Sequence, residues 1–190
     1  GLDIDGEFTD DQSGFSVTLS SDGIRVGIGA IKNDNVGPDA GHVRVYEWDG
    51  LSWTQLGLDI DGEASVDESG VSVSLSSDGS RIAIGARLND NFGSDAGHVR
   101  VYEWDGASWV QLGADIDGGA ANDFSGESVS LSSDGNRLAI GARLNDNIGL
   151  DAGHVRVYEW DGLSWILMGS EINGEAANDQ SGYSVSLSSD

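Results

Sequence analysis

The sequence contains no cysteine, only one proline and only one methionine. Without cysteine the chain can form neither a disulfide framework nor a zinc site built from thiolates. Long apolar runs are missing as well, since no stretch approaches the roughly 20 residues that a membrane-spanning helix requires. We therefore expect a chain that is not inserted in a membrane and is not a disulfide-stabilised scaffold.

Basic residues are scarce: nine Lys and Arg stand against 33 Asp and Glu, which gives a formal charge of −24. A surface this negative repels nucleic acids and anionic membranes, so we expect neither as a partner. Of the acids, 24 are Asp and nine are Glu. Because Asp favours turns and binds hard cations whereas Glu favours helices, this choice of acid indicates loops and is compatible with cation binding.

Helical periodicity is also absent, and the 29 glycines weigh against helices. What the sequence has instead is a repeat. The phrase RLNDNFGSDAGHVRVYEWDG at 87–106 recurs almost unchanged at 143–162 and, with more substitutions, at 31–50. This 56-residue period is typical of a solenoid, a propeller or an array. It divides the chain into repeat units 1–56, 57–112 and 113–168 and a partial unit 169–190, about 3.4 repeats in all.

Each unit shows four short strands in which apolar residues alternate with polar or small ones, and Asp-Gly turns separate some of them. In the second unit these strands lie within Ser72–Gly79, Arg81–Ala86, His98–Trp104 and Ser108–Gly113. Period-two alternation interrupted by Asp-Gly is a strong hairpin signal. We predict an all-β protein of propeller-like blades, each with four antiparallel strands. A stacked β-solenoid is the alternative, although its coils are usually shorter than this repeat.

The second unit resembles the FG-GAP repeat, in the compact form found in extracellular bacterial and algal proteins and related to the propeller of integrin α chains. Ser69-Gly70 stands where the family has Phe-Gly, and Gly85-Ala86-Arg87 where it has Gly-Ala-Pro. The resemblance extends over all units and implies a β-propeller, an extracellular or cell-surface location and an adhesive role. The family's calcium loop between the first two strands is replaced here by the turn at 76–79, which cannot supply the six or more oxygens that calcium takes.

Two other acidic loops offer oxygen ligands, and calcium is the cofactor that we expect there. The first loop places Asn and Asp at alternate positions around a glycine, as in the first half of an EF-type loop. Turn formation alone explains the same residue types, because Asn and Asp form Asx-turns and tolerate left-handed backbone. The candidate ligands are Asn33, Asp34, Asn35 and Asp39 in the first unit, Asn89, Asp90, Asn91 and Asp95 in the second, and Asn145, Asp146, Asn147 and Asp151 in the third.

The second loop, DIDGEASVD, carries Asp59, Asp61, Glu63 and Asp67 at its positions 1, 3, 5 and 9. This spacing also suits calcium. The third unit departs from it, because Gly119 stands in the place of Glu63. Oxygen ligands make zinc and copper poor first choices for either loop.

No catalytic motif emerges from the sequence, and we predict that the chain is not an enzyme. His42, His98 and His154 occur once per unit, and we expect blade symmetry to keep them apart, so a three-histidine zinc site is not predicted. The G-x-S-x-G nucleophile motif and the Walker-type phosphate loop are both absent.

Six tryptophans flank the Asp-Gly turn near the end of each unit. We expect Trp53, Trp109 and Trp165 to be largely buried between neighbouring sheets, since large aromatic rings dominate such contacts. If their rings stacked on sugars instead, the protein would be a lectin-like propeller. Glycan binding is therefore the alternative function.

Three units and one extra strand fall short of the roughly 4–8 blades of a propeller. We interpret the chain as part of a larger propeller or array, or as a subunit that completes one by association. Near-identical units favour self-complementary packing, because one unit's interface already fits the next. The predicted function is a non-catalytic structural or adhesive module whose partners are proteins, including further copies of itself.

Overall fold

A computed structural model describes residues 3–188, which form fifteen β-strands and no helix. The first sheet contains β1 (Ser13–Leu19), β2 (Arg25–Ala30), β3 (His42–Trp48), β4 (Trp53–Gln55) and β5 (Ile60–Asp61). The second contains β6 (Ser72–Leu75), β7 (Arg81–Ala86), β8 (His98–Trp104), β9 (Trp109–Gln111) and β10 (Ile116–Asp117). The third contains β11 (Ser125–Leu131), β12 (Arg137–Ala142), β13 (His154–Trp160), β14 (Trp165–Leu167) and β15 (Ile172–Asn173).

Within each sheet the first three strands run antiparallel in chain order. Two short strands share the fourth position, and in the first sheet β4 and β5 pair with opposite ends of β3. Tyr46 lies opposite Gln55 near one end of β3, and His42 lies opposite Asp61 at the other. The prediction of four antiparallel strands per unit is confirmed, with the outer strand divided in two.

The three sheets span residues 13–61, 72–117 and 125–173. Each sheet therefore ends five residues beyond a boundary of the sequence units, because its last short strand is supplied by the start of the following repeat. This overlap ties each sheet covalently and by hydrogen bonds to the next unit along the chain.

Aspartates close the turns between strands, which explains part of the acidic composition. Asp78 Oδ1 accepts hydrogen bonds from the Ser80 backbone amide at 2.9 Å and from Ser76 Oγ at 2.7 Å. Asp105 Oδ1 accepts from two backbone amides at 2.8 Å, those of Ala107 and Ser108. These bonds favour the charged carboxylate and hold the pKa of Asp105 below its usual value.

The hydrophobic core lies between successive sheets rather than within one. One buried cluster joins the first two sheets and another joins the second and third. Burial of these aliphatic side chains is the main stabilising contribution to the array. The first cluster consists of Val43, Val45, Ile60, Leu75, Ile82, Ile84 and Tyr102.

The Ser-Gly and Gly-Ala motifs of successive units meet at this interface. A Cβ atom added to Gly85 would lie 2.0 Å from the carbonyl oxygen of Gly126, so only glycine permits the observed approach. Ser72 Oγ donates a hydrogen bond of 2.7 Å to the same oxygen. The two halves of the repeat motif are therefore the two sides of one contact between sheets.

Two of the three tryptophans expected between sheets pack there. Trp109 packs against the cluster between the first two sheets, and Trp165 packs against the next. Trp53, Trp109 and Trp165 each keep part of their surface exposed, and the larger part is buried. They begin the outer strand of each sheet.

Among residues 3–188 the structure has no helix of the length and apolar character needed to cross a membrane.

Candidate functional site

The first of the acidic loops is held by its own hydrogen bonds. Asn89 is buried, and its Nδ2 donates to Asp67 Oδ2 at 2.9 Å while its Oδ1 accepts from the Asn91 amide at 3.0 Å. Asp90 Oδ1 accepts from the Asp95 amide at 2.7 Å, and Asp95 has a positive φ of 51°. The matching loops place Asn33, Asp34, Asn35 and Asp39, and Asn145, Asp146, Asn147 and Asp151, in the same arrangement.

Asn89 Oδ1 and Asp90 Oδ1 thus each hold a backbone amide of the loop in place. Asx-turn formation, weighed in the sequence as the other explanation of these residues, is thus present in the structure. Calcium binding at Asp95 and its equivalents stays a prediction.

The second acidic loop distributes its four carboxylates among different neighbours. Asp67 turns inward to Asn89 and to the Ala64 amide, and burial raises its pKa. Asp59 Oδ1 accepts from Gln55 Nε2 at 2.6 Å. Burial also raises the pKa of Asp61, with a further contribution from Asp59.

Two of these acids, Asp59 and Glu63, belong instead to clusters centred on histidines. Within residues 3–188, Glu63 gathers with His98 and Asp115, and the equivalent residues one repeat earlier form a second cluster of Glu7, His42 and Asp59. The potential ligand atoms of each cluster lie within 4.8 Å of one another. Each cluster could hold a metal ion.

His98 is the buried member of its cluster, with only 1% of its surface exposed. It begins β8, and its Nδ1 lies 3.8 Å from Glu63 Oε2. Neither ring nitrogen has a hydrogen-bond partner. Burial, assisted by the Arg100 guanidinium, lowers the pKa of His98 to about 4, so the ring is neutral at pH 7 and keeps one nitrogen lone pair.

Arg100 fixes the acidic side of this cluster. Its Nη2 donates to the Asp61 carbonyl oxygen at 2.7 Å, and its Nη1 lies 3.7 Å from Glu63 Oε1. The other carboxylate oxygen of Glu63 accepts from Asn91 Nδ2 at 3.3 Å and faces the histidine. One oxygen of Glu63 is therefore directed to the arginine and the other to the ring.

The third unit keeps the histidine but changes the acids. Gly119 replaces the first acid, and Glu171 stands where Asp59 and Asp115 stand in the earlier units. Glu171 Oε2 lies 3.8 Å from His154 Nδ1 and accepts from Asn147 Nδ2 at 2.9 Å. It thus takes the contacts that Glu63 makes in the second unit.

An open cleft recurs beside the outer strand of every sheet. At the second sheet its walls include Tyr102, Trp109, Asp59 and Asp61, and its volume is about 490 Å³. Smaller clefts of about 270 Å³ lie at the other two sheets, with Tyr46 and Trp53 in one and Tyr158 and Trp165 in the other. The cleft is thus a feature of the repeat.

Both ends of the array expose apolar faces. In β1, Phe15, Val17 and Leu19 are 49%, 57% and 56% exposed. Their counterparts in the second unit, Val71, Val73 and Leu75, are covered by the first sheet. At the opposite end Ile172 is 60% exposed, whereas its counterpart Ile116 is buried at 7%.

Blade symmetry does not predict the histidine clusters, because it separates the histidines from one another and says nothing of the acids beside each one. Their acidic partners come from loops of adjoining units, at constant sequence distances from each histidine. An acid stands 35 residues before His42 and His98 and another stands 17 residues after them. That recurring pair of offsets is the signal that could have identified the clusters.

Comparison with known proteins identifies the repeat. Residues 115–158, from the start of β10 to the middle of β13, match the FG-GAP repeat. No curated protein matches the sequence. The match falls in the third unit, whose phrases recur in the other units.

Solved structures share the fold at low sequence identity. A candidate 6-phosphogluconolactonase from Bacteroides fragilis has a TM-score of 0.57 and 15% identity over 83% of this chain and 38% of its own. A second, from Bacteroides uniformis, has a TM-score of 0.55 and 13% identity over 87% and 42%. Hydrazine synthase of Kuenenia stuttgartiensis has a TM-score of 0.53 and 13% identity over 93% and 40%.

The chain spans about two fifths of the length of these solved structures, so the likeness concerns the fold of its sheets. Repeated four-stranded antiparallel sheets and the match of one unit to a known repeat lead to the same assignment. Residues 115–158 therefore match the FG-GAP repeat, within a propeller-like array of four-stranded sheets.

Proposed function

We propose that the chain is a non-catalytic structural or adhesive module of an extracellular or cell-surface protein, and that it acts by packing against further blades of its own kind. The observation that carries this proposal is the pair of apolar faces at the ends of the array. Phe15, Val17 and Leu19 are exposed on one face, and Ile172 is exposed on the other.

The internal interfaces indicate what fits these faces. Leu75 and Ile116 occupy the equivalent positions inside the array, and there the neighbouring sheet covers them. The occupant that we assign to each end is therefore a sheet of the same sequence type, supplied by a second copy of this chain. Such a contact continues the interface that the array already uses between its sheets.

Charge sets the conditions for association. Two copies with a formal charge of −24 repel each other at low ionic strength. Salt screens this repulsion, so the apolar contact gains in relative weight as the salt concentration rises. We expect association to increase with both protein and salt concentration.

Sedimentation velocity across chain and sodium chloride concentrations tests the assignment. Leu19→Glu and Ile172→Glu place a charge on opposite end faces and should each reduce association. Leu51→Glu is the matched control, since Leu51 is also an exposed leucine, 83% accessible, but lies in a turn away from both faces. A wild-type monomer at all concentrations and high salt, or equal loss of association in the control, would overturn the proposal.

The absence of catalysis is part of the proposal. The buried histidines lie beside carboxylates that arginines also approach, and no recognisable nucleophile motif lies in the sequence. Some structural neighbours are candidate 6-phosphogluconolactonases, but identities of 13–15% carry a likeness of fold and not of activity. A 6-phosphogluconolactonase assay with purified chain should remain at the background rate of hydrolysis.

The proposed function also includes an extracellular location and stabilisation by calcium. FG-GAP repeats of this type suggest an extracellular setting, where calcium is available at high concentration. We assign calcium stabilisation to the loops that carry Asp39, Asp95 and Asp151, which are half-buried and offer carboxylate oxygens.

Glycan binding is the second candidate function, and the recurring cleft favours it. Trp109 and Tyr102 supply aromatic walls, and Asp59 and Asp61 supply hydrogen-bond acceptors for sugar hydroxyls. Glycan-array binding that is lost in Trp109→Ala and kept in Leu51→Glu would support this function over self-association.

A further inference from the structure

We propose that the chain holds two sites for a divalent transition-metal ion, with Zn²⁺ as the preferred ion. One site is formed by Glu7, His42 and Asp59, and the other by Glu63, His98 and Asp115. The inference is independent of the self-association proposed above. It differs from the calcium loops, because each site uses a histidine and draws its acids from two separate loops.

The buried histidine is the observation that points to a ligand. His98 is 99% removed from solvent, yet neither of its ring nitrogens has a hydrogen-bond partner. A buried polar atom without a partner carries a desolvation cost that a bound metal ion removes. The Nδ1 atom is aimed at the carboxylates, 3.8 Å from Glu63 Oε2.

The distances fit an ion placed between the ligands. Zinc lies about 2.0–2.2 Å from nitrogen and oxygen ligands, so two ligands of a tetrahedral site are roughly 3.4 Å apart. In the first site His42 Nδ1 lies 3.9 Å from Glu7 Oε2 and 3.8 Å from Asp59 Oδ2. A contraction of a few tenths of an ångström would bring the histidine to this separation from both acids.

The types of ligand atom in each site indicate which class of metal ion binds there. One imidazole nitrogen with two carboxylates suits zinc and related ions, whereas calcium takes six or more oxygens and does not favour imidazole. Arg100 neutralises one of the two acids of its site, which leaves one net negative charge for the cation. Arg44 lies 3.7 Å from Glu7 Oε1 in the other site.

The third unit lacks a complete set, so the expected stoichiometry is two ions and not three. Gly119 removes one acid, and Glu171 takes its place beside His154. Within residues 3–188 the two triplets named above are the complete ones. The chain thus contains its own control for the role of the third ligand.

Isothermal titration with Zn²⁺ of chain stripped by a chelator measures the stoichiometry. Wild type should bind two ions, and His98→Gln and His42→Gln should each bind one. His154→Gln is the matched control, because it also alters a buried histidine. It should still bind two ions, because the third unit lacks a complete ligand set. Co²⁺ substitution adds a second readout, because tetrahedral Co²⁺ absorbs visible light strongly and this absorption should fall by half in His98→Gln.

Variants at exposed acids keep the test valid if a histidine variant does not fold. Glu63→Gln should reduce the stoichiometry from two to one, whereas Glu175→Gln, at the equivalent position of the partial unit, should leave it at two. Zinc binding unaffected by Glu63→Gln and His98→Gln, or equally reduced by His154→Gln, would overturn the proposal. Tighter binding of Ca²⁺ than of Zn²⁺ at these residues would overturn it as well.

A gain-of-site variant supplies the reverse test. Gly119 has an ordinary backbone conformation, and an added Cβ would meet only Asp123 Oδ2 within 4 Å, at 3.3 Å. Gly119→Glu combined with Glu171→Asp restores the ligand set of the earlier units. The double variant should bind three ions, and a folded double variant that still binds two would contradict the assignment of the acidic ligands.

Discussion

Trp109 Nε1 donates a hydrogen bond of 2.9 Å to the carbonyl oxygen of Leu56, a residue 53 positions earlier in the chain. The bond joins the outer strand of the second sheet to the end of the first unit, and Trp165 makes the equivalent bond to Leu112. Each tryptophan thus fastens its sheet to the preceding unit while one side of its ring forms a cleft wall.

We predict that Trp109→Phe costs about 1 kcal/mol of unfolding free energy, because it removes one hydrogen bond and keeps most of the ring. Trp109→Ala should cost more, about 2–4 kcal/mol, since a half-buried ring is lost as well. Urea denaturation measures both. Equal stability of wild type and Trp109→Ala would contradict the fastening role.

The approach of Gly85 to Gly126 gives a second prediction. Gly85→Ala should destabilise the chain by about 1–3 kcal/mol or more, because the new methyl group meets a backbone oxygen that cannot move freely. Gly119→Ala is the matched control, since its Cβ meets only a side-chain oxygen at 3.3 Å. Thermal unfolding of the two variants should separate them clearly, and a similar melting temperature would count against close packing of the motifs.

Acid should weaken the metal-free chain through its buried histidines. Burial and Arg156 lower the pKa of His154, while Glu171 and Asp123 oppose the shift without reversing it. A histidine with a lowered folded pKa contributes its full stability above its unfolded pKa of about 6.5 and loses it as the pH falls towards the folded value.

We therefore predict that the free energy of unfolding, measured with a chelator present, falls as the pH is lowered from 7 to about 5.5. The slope should be shallower in His154→Gln. Aspartates whose pKa burial raises, such as Asp67, act in the opposite direction, so the comparison with His154→Gln isolates the histidine's part. A slope unchanged by the substitution would show that His154 does not contribute.

The calcium assignment is tested by calorimetry at physiological ionic strength. Heat of Ca²⁺ binding should be present in wild type and reduced in Asp95→Ala, because calcium requires the accessible carboxylate. Glu103→Ala is the control for removal of an acid outside the loop. A flat titration of wild type would identify these loops as turns alone.

Much of the fold could be predicted because its signals are local. Asp-Gly turns such as Asp78-Gly79 and the alternation in His98–Trp104 lie within single hairpins, and the repeat multiplies the evidence. The short strand Ile116–Asp117 could not be predicted in the same way. It has two residues, and its position depends on pairing with the far end of β8.

The histidine clusters lay beyond local reasoning for a related physical reason. Glu63 and His98 are 35 residues apart, and they meet only because two sheets stack with the connecting loop between them. The asparagine of the first acidic loop shows the converse. The spacing of Asn89 predicts a calcium ligand, but in the structure its side chain donates to Asp67 in the other acidic loop.

The contact between the Ser-Gly and Gly-Ala motifs has a consequence for how such a chain can grow. The Gly-Ala motif of each unit contacts the Ser-Gly motif of the next unit along the chain. The junctions between units are therefore alike. Insertion or deletion of a multiple of 56 residues preserves every junction between units. An insertion or deletion of any other length disrupts the pairing of the two motifs at one junction. Unequal recombination between the near-identical segments can therefore lengthen or shorten the protein in whole sheets without redesigning a single interface.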